Sequence, residues 1–150
     1  MRLRVEMLQR ASVLAALALA VALPAAAAGR LQIDAAWIRT APPGAMMLAG
    51  YARLRNVGDA ALVISGADSA DFGSVSLHQT ISENGVERMR ALGDIEIAPG
   101  ASVDFVPGAK HFMLMRPQRE LNAGARVRIH ISTKSGADVT ADFVVRDDAP

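Results

Sequence analysis

No cysteine occurs anywhere in the 150 residues. Without a thiolate there can be no disulfide framework, thiol nucleophile, thiolate zinc site, iron–sulfur cluster or His-Cys blue-copper centre. Aromatics are scarce, at one Trp, one Tyr and four Phe, and 16 basic residues nearly balance 15 acidic ones. Nucleic-acid binding therefore has neither a basic stripe nor a stacking platform to rest on. From Leu31 onward no long stretch repeats its apolar residues every 3.6 positions, so helices are not expected. No nucleophile–base arrangement or cofactor loop is visible, and the chain is read as a non-enzyme.

The long hydrophobic run is confined to the start. Arg2, Arg4 and Arg10 precede the largely apolar ASVLAALALAVAL of Ala11 to Leu23, and PAAAAGR follows. A basic region, a short apolar stretch and small residues suited to an A-x-A cleavage site read as a secretory signal peptide over residues 1–28. The apolar part is too short for a comfortable membrane span, so no stable membrane insertion is expected. A folded domain over 29–150, located in the periplasm, is the corresponding expectation. Removing the leader takes three of the 16 basic residues and one of the 15 acidic ones, leaving 13 against 14. A polyanionic partner is thereby disfavoured. A chain of that length can bury about two-thirds of its unfolded surface, enough for one core without disulfides.

What is present is a series of short β-type segments separated by turn residues about every ten positions, which predicts a single all-β sandwich or barrel of eight or nine strands. LQIDAAWIR, MMLAGYARLRN, ALVISGA, VSLHQTI, VERMRAL, HFMLM, RVRIHIST and ADVTADFVV read as strands, and IEIAPGASVDFVPG as a hairpin bent at Pro99 and Gly100. The breaks are APPG, NVGD, SENG, LNAG and KSGA.

One segment departs from simple core patterning. In KHFMLM, Lys110 to Met115, a strand would put His111, Met113 and Met115 on one face and Phe112 and Leu114 on the other. One face reads as core and the other as a site. A second histidine–methionine pair lies in VSLHQTISENGVERMR. A four-residue Ser82–Gly85 loop would set His78 opposite Met89, and a two-residue Asn84-Gly85 turn would make them diagonal neighbours; both share a face. Two imidazoles and two thioethers could then converge where two hairpins approach each other. Thioether sulfur selects Cu(I), whereas zinc favours thiolate, imidazole and carboxylate, and calcium demands oxygen. Four neutral ligands also suit a monovalent cation.

His78, ten residues, Met89, twenty-one residues, His111, one residue, Met113 is a spacing that resembles the ligand signature of the periplasmic PCu(A)C copper chaperones. DAAWIRTAPPG, YARLRNVGDA, LHQTISENGVERMR and PGAKHFMLMRP are similar to that family's sequences, so the resemblance covers nearly all of residues 29–150. It implies a cupredoxin-like Greek-key β-sandwich, a Cu(I) cargo held by His78, Met89, His111 and Met113, and delivery to the binuclear copper site of cytochrome c oxidase. The expected partners are that oxidase's copper-binding subunit or a thiol-containing copper chaperone, and the expected state is a monomer. Copper storage or tolerance, and a structural β-sandwich without metal, are the alternatives. The chain departs from the family in its hairpin, which offers Thr80, Ser82 and Glu87 where relatives often carry methionine. It departs again in ending RDDAP instead of in a His- and Met-rich tail.

Other residues receive plainer readings. Met115 has the parity of the site but reads as packing with a flanking role, and Met46 and Met47, after the PPGA turn, as the start of a strand, with exposed soft residues serving copper exchange as the alternative. Trp37 and Tyr51 are expected in the core. His130 falls on the polar face of RVRIHIST, as a solvated residue. The carboxylates Asp138, Asp142, Asp147 and Asp148 read as a solvated edge.

Overall fold

The computed structural model describes residues 25–150; the signal-peptide reading falls for residues 1–24 outside the described residues. Ten strands follow one another: β1 Leu31–Arg39, β2 Met47–Asn56, β3 Leu62–Asp68, β4 Phe72–Glu83, β5 Val86–Ala91, β6 Ile95–Ile97, β7 Ser102–Phe105, β8 Lys110–Pro117, β9 Arg126–Thr133 and β10 Val139–Arg146. They form one sheet in the order β5-β4-β8-β7-β2-β1-β10-β9-β3-β6, closed on itself by the β3–β4 pairing. The closed ring contains eight strands, with β5 and β6 attached outside it. Neighbours such as β4–β8, β1–β10 and β3–β9 are not consecutive in sequence, as a Greek-key arrangement requires.

One expectation is revised. IEIAPGASVDFVPG is not a hairpin: β6 pairs with β3 through Leu62↔Ile97, whereas β7 pairs with β2 through Ala52↔Phe105. Pro99 and the left-handed Gly100 (φ 76°) redirect the chain between the two partners. The β4–β5 turn is the two-residue Asn84-Gly85 type, with φ of 52° and 77° and Glu83↔Val86 as the closing pair. That selects the diagonal arrangement of His78 and Met89 over the directly opposed one.

The core fills the ring. Phe112 stacks on Phe105 at 4.7 Å and meets Phe143 edge-on at 5.3 Å. Around them lie Ile38, Leu54, Leu62, Ile64, Leu114, Val127, Ile129 and Ile131, all fully buried. Trp37 and Tyr51 are buried too, with centroids 4.8 Å apart, but they stand outside the ring. A bulge between Asp34 and Trp37, with Ala35 at φ 49°, inverts the parity of β1, so Trp37 and its partner Tyr51 turn away from Ile38 and Gly50.

Asn56 ties one end of the ring. Its side-chain amide donates to the carbonyls of Ala60 (2.7 Å) and Ile97 (2.9 Å), and its Oδ1 accepts from the N–H groups of Gly58 (3.0 Å) and Arg30 (3.2 Å). The turn has no space for a side chain at residue 58, since a Cβ there would lie 2.1 Å from the carbonyl oxygen of Ala28. Asn56→Ala leaves these buried groups without partners and should lower stability by about 3 kcal/mol, read from urea unfolding. Phe112→Ala, which empties the aromatic centre, should cost about 4 kcal/mol in the same assay.

Candidate metal centre

β8 is wedged between β4 and β2. Its inward residues Phe112 and Leu114 are sealed in the core, and that fixes the outward direction of His111, Met113 and Met115. The antiparallel register pairs His78 with His111 and Ser76 with Met113, so all four share the outer face. On the other side of β4, His78 pairs with Ala91 and Thr80 with Met89. Met89 is thus the diagonal neighbour of His78 toward the hairpin tip, and Met113 lies one pair further along in the opposite direction. The two sulfur residues flank the imidazole pair from opposite ends. The four residues therefore come from three adjacent strands of one continuous face, where the sequence predicted the meeting of two separate hairpins.

The imidazoles are roughly parallel, with centroids 6.0 Å apart and planes inclined by 26°. Each ring is held through one nitrogen. His111 Nδ1 lies 3.3 Å from the carbonyl oxygen of Ala109, which can only accept, so that nitrogen carries the proton. His78 Nε2 lies 3.0 Å from the Ser76 hydroxyl. The other nitrogens, His78 Nδ1 and His111 Nε2, are buried and have no partner. Leaving a buried polar atom unpaired costs about 1–3 kcal/mol, so two such ring nitrogens side by side mark a place where a further partner fits, and an electron-pair acceptor can serve both once neither carries a proton. The backbone carbonyl and the hydroxyl fix the orientation of the two rings.

The immediate cross-strand neighbours are short and uncharged. Ser74, Ser76, Thr80, Ala49 and Ala91 occupy the pair positions around the rings and thioethers. His111 is buried, Met113 is half-buried, and Met89 is 55% exposed on β5, a strand exposed along its whole length. Sequence parity around His78 could have found Ser76, two positions earlier. Nothing local in the sequence singles out the Ala109 carbonyl, whose role depends on the turn before β8.

Elsewhere on the ring, Asp68 and Thr140 are the cross-strand partners of His130. Its Nε2 lies 3.3 Å from Asp138 Oδ2 and its Nδ1 3.2 Å from the Thr140 hydroxyl. His130 is thus an outward-facing residue tethered to a carboxylate that sequence spacing left unassigned. It takes no part in the His78–His111 cluster. The backbone N–H of Thr133 binds Asp138 and, with lesser help from His130, holds its carboxyl below the ordinary range.

Solved structures with the same architecture include the copper-bound PCuAC domain of PmoF2, at TM-score 0.65 and 24% identity over 81% of this chain and 95% of that one. Another is the Cu(I) form of DR1885 from Deinococcus radiodurans, at TM-score 0.63 and 25% identity over 83% of each chain. The class is therefore that of the PCuAC β-domains. The model of the family described as "Putative lipoprotein LpqE-like" matches residues 31–145, and the chain belongs to that LpqE-like family. Among its relatives is "Putative lipoprotein Lxx21020" of Leifsonia xyli subsp. xyli, 32% identical over 152 aligned positions that span 93% of this chain and 90% of the other.

Burial, and secondarily the facing His111 ring, hold the His78 imidazole below its ordinary value. The unfolded chain then takes up a proton at this residue at a higher pH than the folded chain does. Stability present above the ordinary imidazole range is lost as pH falls through that range toward the depressed folded value. The unfolding free energy of the metal-free protein should accordingly drop between about pH 7.5 and pH 5. His78→Gln should drop less over the same interval in denaturant titrations.

Proposed function

We propose that this chain is an exported copper carrier that binds Cu(I) through His78, Met89, His111 and Met113. The observation that carries the reading is the pair of buried, unpartnered imidazole nitrogens on adjacent strands, flanked at opposite ends by thioethers. Two imidazoles and two thioethers form a soft, neutral donor set. It suits a monovalent ion that need not be balanced by a buried carboxylate, and it lacks both the oxygen ligands that favour harder ions and the thiolates that zinc prefers. The lowered proton affinity of His78 keeps its lone pair available below neutral pH, and the methionines have no proton to lose.

The ligands differ in accessibility, and that difference suits delivery. His111 sits against the core strand, whereas Met89 projects on the solvent-exposed β5. An incoming donor from an acceptor protein can approach from the β5 side and replace Met89 first, while the histidines and Met113 retain the ion. The metal then passes through shared coordination and is not released free into solution. The related structures that hold copper support copper as the cargo, and the signal-peptide reading of residues 1–28 supports export with residues 29–150 as the working domain. Delivery to the copper-binding subunit of cytochrome c oxidase, in the periplasm, is the destination this reading favours; exchange with a thiol-containing copper chaperone would use the same opening.

Competition against a Cu(I)-specific chelator tests the assignment. The unmodified protein should take one tightly held equivalent of Cu(I) and bind Zn(II) much more weakly. Met113→Ala should weaken the Cu(I) affinity by at least roughly tenfold, the low end of what disturbing even an outer-shell partner of a metal ligand costs. Unchanged affinity in both Met113→Ala and His111→Ala would remove these residues from the ligand set.

A further inference from the structure

Methionine usually fills gaps in cores. Here none of the methionines among the described residues belongs to the buried core: Met46, Met47 and Met89 are 61%, 45% and 55% exposed, and Met113 and Met115 are half-buried. The core is built from Leu, Ile, Val and Phe, with Ala52. Packing therefore does not account for where the thioethers stand.

Met89 and Met113 belong to the proposed centre, and Met47 and Met115 remain. The β2–β8 register pairs them directly, Met47↔Met115, one step beyond Ala49↔Met113. Directly opposed residues share a face with Cβ atoms about 5 Å apart, so thioethers there can meet on a single ion. Met115 follows Met113 with the same parity, so the pair stands on the face that carries His111. Across β4 the neighbours of Met113 and Met115 are Ser76 and Ser74, and beside Met113 on β2 is Ala49. These short side chains leave the sulfur atoms uncrowded and give them little apolar surface to pack against.

We infer that Met47 and Met115 form a second, weaker site for the same soft monovalent ion, a loading position on β2 and β8 whose nearest neighbour in the first centre is Met113. The inference rests on the reading of Met113 as a ligand. Two thioethers without an imidazole bind less tightly than the four-ligand set, so this site fills only after the first. The nearby Arg116 guanidinium is directed at Ser74, with Nη2 3.4 Å from its hydroxyl. Its positive charge opposes a divalent ion more strongly than a monovalent one.

Methyl NMR of the full chain labelled with 13C at the methionine methyl groups, titrated anaerobically with Cu(I), tests the site directly. The first equivalent should move the Met89 and Met113 methyl signals, and the second should move those of Met47 and Met115. Met46, more exposed than either but outside the paired register, should stay in place. In the Met47→Leu, Met115→Leu double variant, which conserves volume at accessible positions, the second transition should disappear. Stationary Met47 and Met115 signals at excess Cu(I) would overturn the second site, as would Met46, Met47 and Met115 all moving together. Failure of the first reading would look different, as Met89 and Met113 signals that do not respond to the first equivalent.

Discussion

The two-residue alternation of β8, locked between β4 and β2, is the constraint on which the rest depends. Phe112 and Leu114 are driven inward against Phe105, Phe143 and the aliphatic core, and the intervening His111, Met113 and Met115 have no direction left but outward. A slip of one residue would exchange the two sets, exposing the phenylalanine and burying the donors. The core thus specifies the position of the outer face without contributing an atom to it. His78 is placed by the same device from the neighbouring strand, where Leu77 pairs inward with Phe112 and His78 outward with His111.

The arrangement on that face follows from local chemistry. Each imidazole is held by one nitrogen, His111 through a backbone carbonyl and His78 through a serine hydroxyl, and presents the other nitrogen unpaired. That is a rigid pair of donors. The thioethers around it are more mobile in principle, being long, unbranched and more exposed, and they grade from half-buried Met113 to solvent-facing Met89. A rigid buried half and an adaptable exposed half suit an ion that must be retained in one encounter and surrendered in another.

Much of this was legible in the sequence because it rests on period and spacing. The alternation in KHFMLM announced a core face and an outward face carrying His111, Met113 and Met115, and the spacing of His78 and Met89 announced shared parity in either hairpin register. Asn84-Gly85 carried the information that decides between those registers, since both residues adopt left-handed φ in the two-residue turn. What could not be read is long-range pairing. IEIAPGASVDFVPG has the local form of a hairpin, yet its two halves belong to β3 and β2, a choice made by the closure of the ring. The β1 bulge at Ala35 likewise moved Trp37 and Tyr51 to the outside, because parity survives only until an extra residue enters a strand. The pairing of Met47 with Met115 depends on the β2–β8 register, and sixty-odd intervening residues conceal it. His130 met Asp138 through the return of β10 alongside β9, again a neighbour that spacing along the chain does not reveal.

The central claim is that a single soft ion gathers two ring nitrogens and two thioether sulfurs from β4, β5 and β8. X-ray absorption at the copper edge, on the full chain loaded with one equivalent of Cu(I), measures that donor set directly. The account predicts nitrogen and sulfur scatterers in equal number around the metal. A spectrum showing only nitrogen and oxygen neighbours would contradict it.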